Sequence, residues 1–209
     1  IKEAFDKAGK KAYVAFYRRS LNRFQKIKEL VDSGEIGEVF AVNISKYVKP
    51  LTDTSQWRAN SEVSGGNEFT ETDIHTLDIL DYLFGEVEDY SFVKNKNKES
   101  DSFHSLSLSM KFKDGCICTG NWIYQCEIEL DRFEIIGDKG MIQFEFYKNS
   151  PIHLIQKDKH TEIIVDDSAH VGQNMEQEIV NELNGSGMFG GTIEAALRTL
   201  KIADTIYRS

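Results

Sequence analysis

The chain has 209 residues, 40% of them hydrophobic and 28% charged, which is enough for one sizeable core. A net charge of −9 without any block of Lys and Arg argues against a nucleic-acid or anionic-membrane partner, and no apolar run is long enough to span a bilayer. The three cysteines, Cys116, Cys118 and Cys126, form no C-x-x-C and follow no secretory signal, so they read as free thiols of a reducing, cytoplasmic compartment, with Cys116 and Cys118 buried on one face of a strand.

The opening IKEAFDKAGKKAYVAF reads as the tail of a helix, a stop at Gly9 and a short buried strand from Ala12 to Phe16. A helix that is uncapped at Ile1 reads as cut from a longer element. Phe24, Ile27, Leu30 and Val31 then recur at helical spacing between Leu21 and Ser33, with Gly34 as the stop. A strand from Glu38 to Val48 leads into a polar stretch, Lys49 to Ser64, that has no period and reads as a long loop. Phe69 to Phe84 is a second helix, ended by Gly85. The strands expected next are Val87–Lys94, Ser102–Phe112, Cys116–Ile123, Arg132–Ile136, Met141–Phe146, Ile152–Gln156 and Thr161–Val165. LSLSMKF alternates as a half-buried antiparallel strand does, and the turns at Lys113-Asp114-Gly115, Gly137-Asp138-Lys139-Gly140 and Asp158 join neighbours. Two helices, Gln173 to Asn184 and Thr192 to Tyr207, close the chain.

This order predicts an α+β fold: a large open, mostly antiparallel sheet with helices packed on one face. Phe103, Phe112, Trp122, Phe133, Phe144 and Phe146 are many aromatics for one sheet; they fit either a single core or a self-association face. Gly185, Gly187 and Gly190 spell G-x-G-x-x-G, but the segment before them, EQEIVNELN, is helical, whereas a dinucleotide site needs a strand there. GSGMFG therefore reads as a loop between helices.

SGGNEFTETDIHTLDILDYLFG, residues 64–85, carries the chemistry. Glu71, His75, Asp78 and Tyr82 fall along one side of a helix, and Glu71 and His75 can meet as an i,i+4 pair. Gly65 and Gly66 just before allow close backbone approach. Spacing leaves three readings: an ordinary solvated Glu–His pair, a metal site of Glu71, His75 and Asp78, or acid–base catalysis in which the carboxylate orients the imidazole and raises its basicity. Lys46 and Tyr47, near a strand end, receive no role, and neither do His104, His153, His160 and His170.

On these residues the chain resembles the Gfo/Idh/MocA family of glucose–fructose oxidoreductases and inositol dehydrogenases, in which G-G-x4-[D/E]-x3-H-x2-D opens the catalytic helix; here it reads Gly65-Gly66, Glu71, His75, Asp78. AYVAFYRRSLNRFQKIKELVDSGEIGEV, QWRANSEVSGG and IEAALRTLKIADTIYRS also match in order, so the resemblance covers nearly the whole chain.

The resemblance implies residues 1–18 as a remnant of an N-terminal Rossmann domain (helix tail and last strand), and 19–209 as the C-terminal substrate-binding and oligomerisation domain. It implies NAD or NADP, held mainly by that N-terminal domain. The reaction implied is hydride transfer between the nicotinamide and a carbinol carbon of a sugar, inositol or related polyol. His75 becomes the acid/base, and Glu71, usually Asp, a catalytic and substrate contact. Asp73 stands where Gly is common and adds a charge near the site. Trp57 and Arg58 become substrate-binding residues, Arg18 and Arg19 contacts to the cofactor, and Asp78 a structural partner. No metal is implied. A homodimer or homotetramer through the sheet face is expected, and the chain alone is expected to lack turnover. The alternative is a non-enzymatic ligand-binding or oligomerisation module of the same fold.

Overall fold

The computed structural model describes residues 1–50, 63, 68–96 and 103–209. Among them eight strands form one sheet: β1 (Val39–Tyr47), β2 (Val87–Lys96), β3 (Phe103–Phe112), β4 (Ile117–Ile123), β5 (Leu130–Gly137), β6 (Gly140–Phe144), β7 (Ile152–Gln156) and β8 (Lys159–Ile163). Their order is β2-β3-β4-β1-β5-β6-β7-β8, and every pair is antiparallel except β1 with β4. The helices are α1 (Lys2–Ala8), α2 (Asn22–Asp32), α3 (Ile74–Phe84), α4 (Gln173–Leu183) and α5 (Ile193–Arg208). A 3₁₀ turn, Tyr17–Ser20, precedes α2, and a π turn, Phe69–Asp73, precedes α3. None of these helices is long and apolar enough to cross a membrane.

The expected α+β architecture is present. Alternation sends Val42 and Ile44 of β1, Leu106, Leu108 and Met110 of β3, Cys118 and Trp122 of β4, and Phe133 and Ile135 of β5 to the helix side, where all are buried. The six sheet aromatics are buried in that single core, so they do not form a self-association face. Gly120 faces the same core because a Cβ there would lie 2.3 Å from the Trp122 ring. Trp122 in turn meets Phe69 edge-on, with ring centroids 5.6 Å apart, which seats the π turn on the sheet. Cys116 and Cys118 are buried free thiols whose proton affinity is raised by desolvation, as small inert core side chains require.

Two expected strands differ. Residues 12–16 make only an isolated bridge, Tyr13 to Thr192, because no neighbouring strand among the described residues offers them a ladder. β8 starts at Lys159, earlier than expected, because Gln156 already pairs with Lys159 across a two-residue turn. The GSGMFG segment is a helix–helix loop between α4 and α5: Phe189 is buried, and the Gly190 carbonyl accepts a hydrogen bond from Arg19.

α3 is buried almost all round, with Thr76, Asp78 and Asp81 among its buried residues. Its carboxylates therefore need partners. Arg19, 7% exposed, donates from Nε to both Asp78 oxygens at 2.9 Å, and from Nη2 to Asp78 Oδ1 at 2.6 Å and Asp81 Oδ2 at 3.0 Å. Arg198 of α5 donates to both Asp81 oxygens at 2.7 and 2.8 Å. Burial lifts the Asp78 carboxyl to about 6, and the Arg19 guanidinium keeps it charged at neutral pH. Asp78→Ala leaves the buried Arg19 guanidinium with Asp81, already shared with Arg198, as its one carboxylate partner, and is expected to cost about 3–5 kcal/mol in urea denaturation. A loss below about 1 kcal/mol would show that this cluster does not hold the helices together.

Candidate active site

The entrance to α3 brings the chemistry-bearing residues together. Phe69–Asp73 is wound as a π turn and Ile74–Phe84 as an α-helix, so Glu71 lies on the wider turn and His75 on the first turn of α3. A π turn carries one extra residue, which displaces a side chain four positions on from its α-helical place. The expected Glu71–His75 pairing is not what governs the imidazole: burial, and after it the nearby charge of Arg18, together lower the His75 pKa from 6.5 to about 4. His75 is therefore neutral at pH 7, and its basicity is reduced where the sequence suggested an increase. Phe16 meets its ring edge-on at 5.5 Å and Tyr17 at 5.4 Å, and Nδ1 is buried without a hydrogen-bond partner.

Arg18 and Arg19, neighbours in the 3₁₀ turn, point to different tasks. Arg19 is committed to Asp78 and Asp81, which corrects its expected role as a cofactor contact: a fully engaged guanidinium has nothing left to offer a phosphate. Asp78 is the structural partner expected of it. Arg18 lies over the rings of Phe146 at 4.8 Å and Tyr147 at 4.9 Å and donates to the Phe146 carbonyl at 3.2 Å, while its Nε is buried with no hydrogen-bond partner. Trp57, Arg58, Gly65 and Gly66 lie outside the described residues.

Sequence reading missed the most highly connected group near the site. Asp73, 0% exposed, ends the π turn and accepts from Lys46 Nζ at 2.8 Å, Tyr147 OH at 2.6 Å and Tyr124 OH at 2.7 Å. The Tyr147 hydroxyl, whose single proton goes to Asp73, also lies 3.2 Å from the Thr72 carbonyl oxygen and 3.3 Å from Thr76 Oγ1, and Lys46 Nζ sits 4.2 Å from the Tyr147 ring centroid. Burial drives the Asp73 carboxyl upward, against Lys46 and the two phenols; it pushes both phenols well above their ordinary range. The signal available in sequence was the phase of β1: after Val42 and Ile44, the next inward position is Lys46, and a buried lysine needs a buried acid.

If Asp73 fixes the turn through Lys46, the two substitutions are not independent. Asp73→Asn alone leaves the buried ammonium with only the exposed Glu68 carboxylate at 3.7 Å, whereas Lys46→Met with Asp73→Asn removes the charge pair together. A double-mutant cycle read by urea denaturation is expected to give a coupling of about 1–3 kcal/mol; additive losses would show the pair to be incidental.

Comparison with known proteins places the fold in a family. Residues 24–143 match the family model described as the GFO/IDH/MocA C-terminal domain. Oxidoreductase P35 of Formosa agariphila is 35% identical over 156 residues, which are 71% of this chain and 47% of that protein. Three solved structures share the fold at low identity. The aldose-aldose oxidoreductase of Caulobacter crescentus, complexed with glycerol, superposes with a TM-score of 0.80 at 20% identity, over 99% of this chain and 64% of that one. An Agrobacterium radiobacter oxidoreductase with NAD+, L-tartaric acid and magnesium gives 0.80 at 16%, over 100% and 65%. A levoglucosan dehydrogenase with NADH and levoglucosan gives 0.77 at 16%, over 94% and 63%. The chain thus spans about half the length of its curated relative and under two thirds of these three structures. With its eight-stranded sheet, its matched C-terminal-domain model and its oxidoreductase relative, the chain belongs to the Gfo/Idh/MocA oxidoreductase family.

Proposed function

We propose that this chain is the substrate-binding and catalytic domain of an NAD(P)-dependent oxidoreductase acting at a carbinol carbon of a sugar, inositol or related polyol, with His75 as acid/base. The observation that carries the reading is the state of His75: a neutral imidazole whose Nδ1 is buried without a partner, between Phe16 and Tyr17 and close to Arg18. Membership of an oxidoreductase family, and relatives solved with levoglucosan and with glycerol, favour a polyhydroxylated substrate.

The nicotinamide, NAD or NADP, supplies the hydride chemistry when bound. The residues here fit its reacting end: Arg18 is a part-buried cation with an unpaired Nε beside the imidazole. No strand–glycine–helix turn for a pyrophosphate exists among the described residues, so the greater part of that site belongs to a nucleotide-binding domain outside them. His75, neutral at working pH, takes the hydroxyl proton as the alcohol is oxidised and returns it as the carbonyl is reduced. Glu71, on the preceding turn, contacts a substrate hydroxyl. Trp57 and Arg58 complete the substrate contacts. Asp73, Lys46, Tyr124 and Tyr147 hold the π turn that carries Glu71 into position.

The open face of the sheet is the surface for a second copy of the chain. It presents small neutral polar groups that already pair across strands, Ser107 with Asn121 and Thr119 with Asn43, together with exposed Val93 and Ile117. A cytoplasmic setting suits its free cysteines.

In the intact protein, His75→Ala is expected to lower turnover by about 10²–10⁴-fold while nicotinamide affinity changes far less. Turnover within a factor of about two of the parent would reject the acid/base assignment. The proton linkage gives a second measurement. The His75 pKa is about 4 folded against about 6.5 unfolded, so the unfolded chain binds the extra proton first. The stability tied to neutral His75 is complete above about 6.5 and is lost as pH falls toward about 4. His75→Gln is expected to flatten that part of the stability–pH curve. An unchanged curve would show that the imidazole ionises normally in the folded protein.

A further inference from the structure

The terminal hairpin of the sheet carries a second group of metal-ligating side chains, remote in sequence from His75 and without part in the proposed reaction. β7 and β8 pair with His153 opposite Glu162 and Ile155 opposite His160. Ile152 and Leu154 of β7 are buried, so the intervening positions His153 and Ile155 occupy the other face of the sheet. His160 and Glu162, in register with them, share that face. The pleat therefore places two imidazoles and one carboxylate in one patch, His153 half-buried and the other two exposed. His153 Nδ1 is 3.1 Å from His160 Nε2 and 3.7 Å from Glu162 Oε1, and one ligand atom from each residue lies within 4.8 Å of the others.

We propose that His153, His160 and Glu162 form a binding site for one divalent transition-metal ion of the zinc class, with water as the fourth ligand. Donors about 2.0–2.1 Å from a tetrahedral zinc ion stand about 3.3–3.4 Å from one another. Two of the separations, 3.1 and 3.7 Å, bracket that value and the third lies within 4.8 Å, so rotation of the exposed His160 and Glu162 side chains is what closes the triangle. Two imidazoles with one carboxylate select zinc, cobalt, nickel or copper over magnesium or calcium, which prefer all-oxygen shells. The backbone does the preorganising. A two-residue turn joins the strands, and the register between Ile152 and Ile163 is continuous, so the three Cβ positions are set before any ion arrives. β8 is the last strand of the sheet and has a neighbour on one side only. An ion joining His153 of β7 to His160 and Glu162 of β8 closes that edge hairpin from its exposed face.

The bland account of the same contact is a hydrogen bond between two neutral imidazoles, and experiment separates the two. Chelator-treated protein is titrated with zinc near neutral pH by isothermal calorimetry. The expected result is one saturable site of about micromolar affinity or tighter, and an upward shift in thermal midpoint on loading. His153→Gln and His160→Gln are each expected to weaken binding by about tenfold or more, and the double variant to abolish it. All three positions lie outside the core, so each variant should keep the parent circular-dichroism spectrum without metal. Cobalt in place of zinc is expected to give the intense visible absorption of a four-coordinate site, lost in the double variant. Absence of saturable zinc binding up to about 1 mM overturns the proposal. So does full-strength binding by the double variant, which would place the ion elsewhere, for example at Cys126. None of these readouts depends on hydride transfer, so failure of the oxidoreductase reading leaves the test intact.

Discussion

The burial of α3 governs the rest of the molecule. A helix enclosed on nearly every side cannot expose its polar groups, so each ionisable side chain on it must find a partner in a neighbouring element. Asp78 finds Arg19 in the 3₁₀ turn, and Asp81 finds both Arg19 and Arg198 of α5. The residue just before the helix, Asp73, finds Lys46 of β1 and two phenols, one following β4 and one following β6. These contacts are directional where hydrophobic packing is not. They fix the rotation of α3 about its axis and its position along the sheet, and so the direction in which His75 projects.

His75 carries no such partner on Nδ1, and that asymmetry is informative. Asp73, Asp78 and Asp81 are engaged by Lys46, Arg19 and Arg198 rather than by the imidazole. The result is an imidazole held neutral by burial and by the like charge of Arg18. Where Asp73, Asp78 and Asp81 are all paired, unpaired atoms such as His75 Nδ1 and Arg18 Nε mark a place where something else binds. A substrate hydroxyl is the group the proposed reaction would put there.

Much of the fold could be read from local pattern because local pattern determines it. Phe24, Ile27 and Leu30 mark the inner face of α2, and LSLSMKF alternates as β3 does, since each segment buries one face. Gly85, with φ of 76°, ends α3 where the helix stop was expected. Three features were not legible. The π turn adds one residue to a helical run, and a hydrophobic period cannot register a single extra residue. The β1–β4 pairing is parallel and joins strands far apart in sequence, so no turn announces it. Asp73 reads only as an added charge near the site until Tyr124 and Tyr147, 51 and 74 residues away, are seen to converge on it. Lys46 reads as a residue near a strand end without a role, although its inward phase on β1 is visible. The motif singles out Glu71 and His75, but the electrostatics of His75 follow from packing, which spacing does not encode.

The 3₁₀ turn joins the structural and chemical halves of this arrangement. Consecutive residues on so tight a turn project in different directions, so Arg18 and Arg19 cannot serve the same site. Arg19 enters the ion cluster beneath α3, while Arg18 stays beside His75, laid over Phe146 and Tyr147. Tyr17, one residue earlier, packs on the imidazole itself. Asp78 lies one helical turn beyond His75 and grips the residue adjacent to Arg18. Any shift in the Arg19–Asp78 contact therefore moves the side chains on both sides of the imidazole at once. The ion cluster thereby bears on how closely Arg18 approaches His75, the second cause, after burial, of its lowered proton affinity.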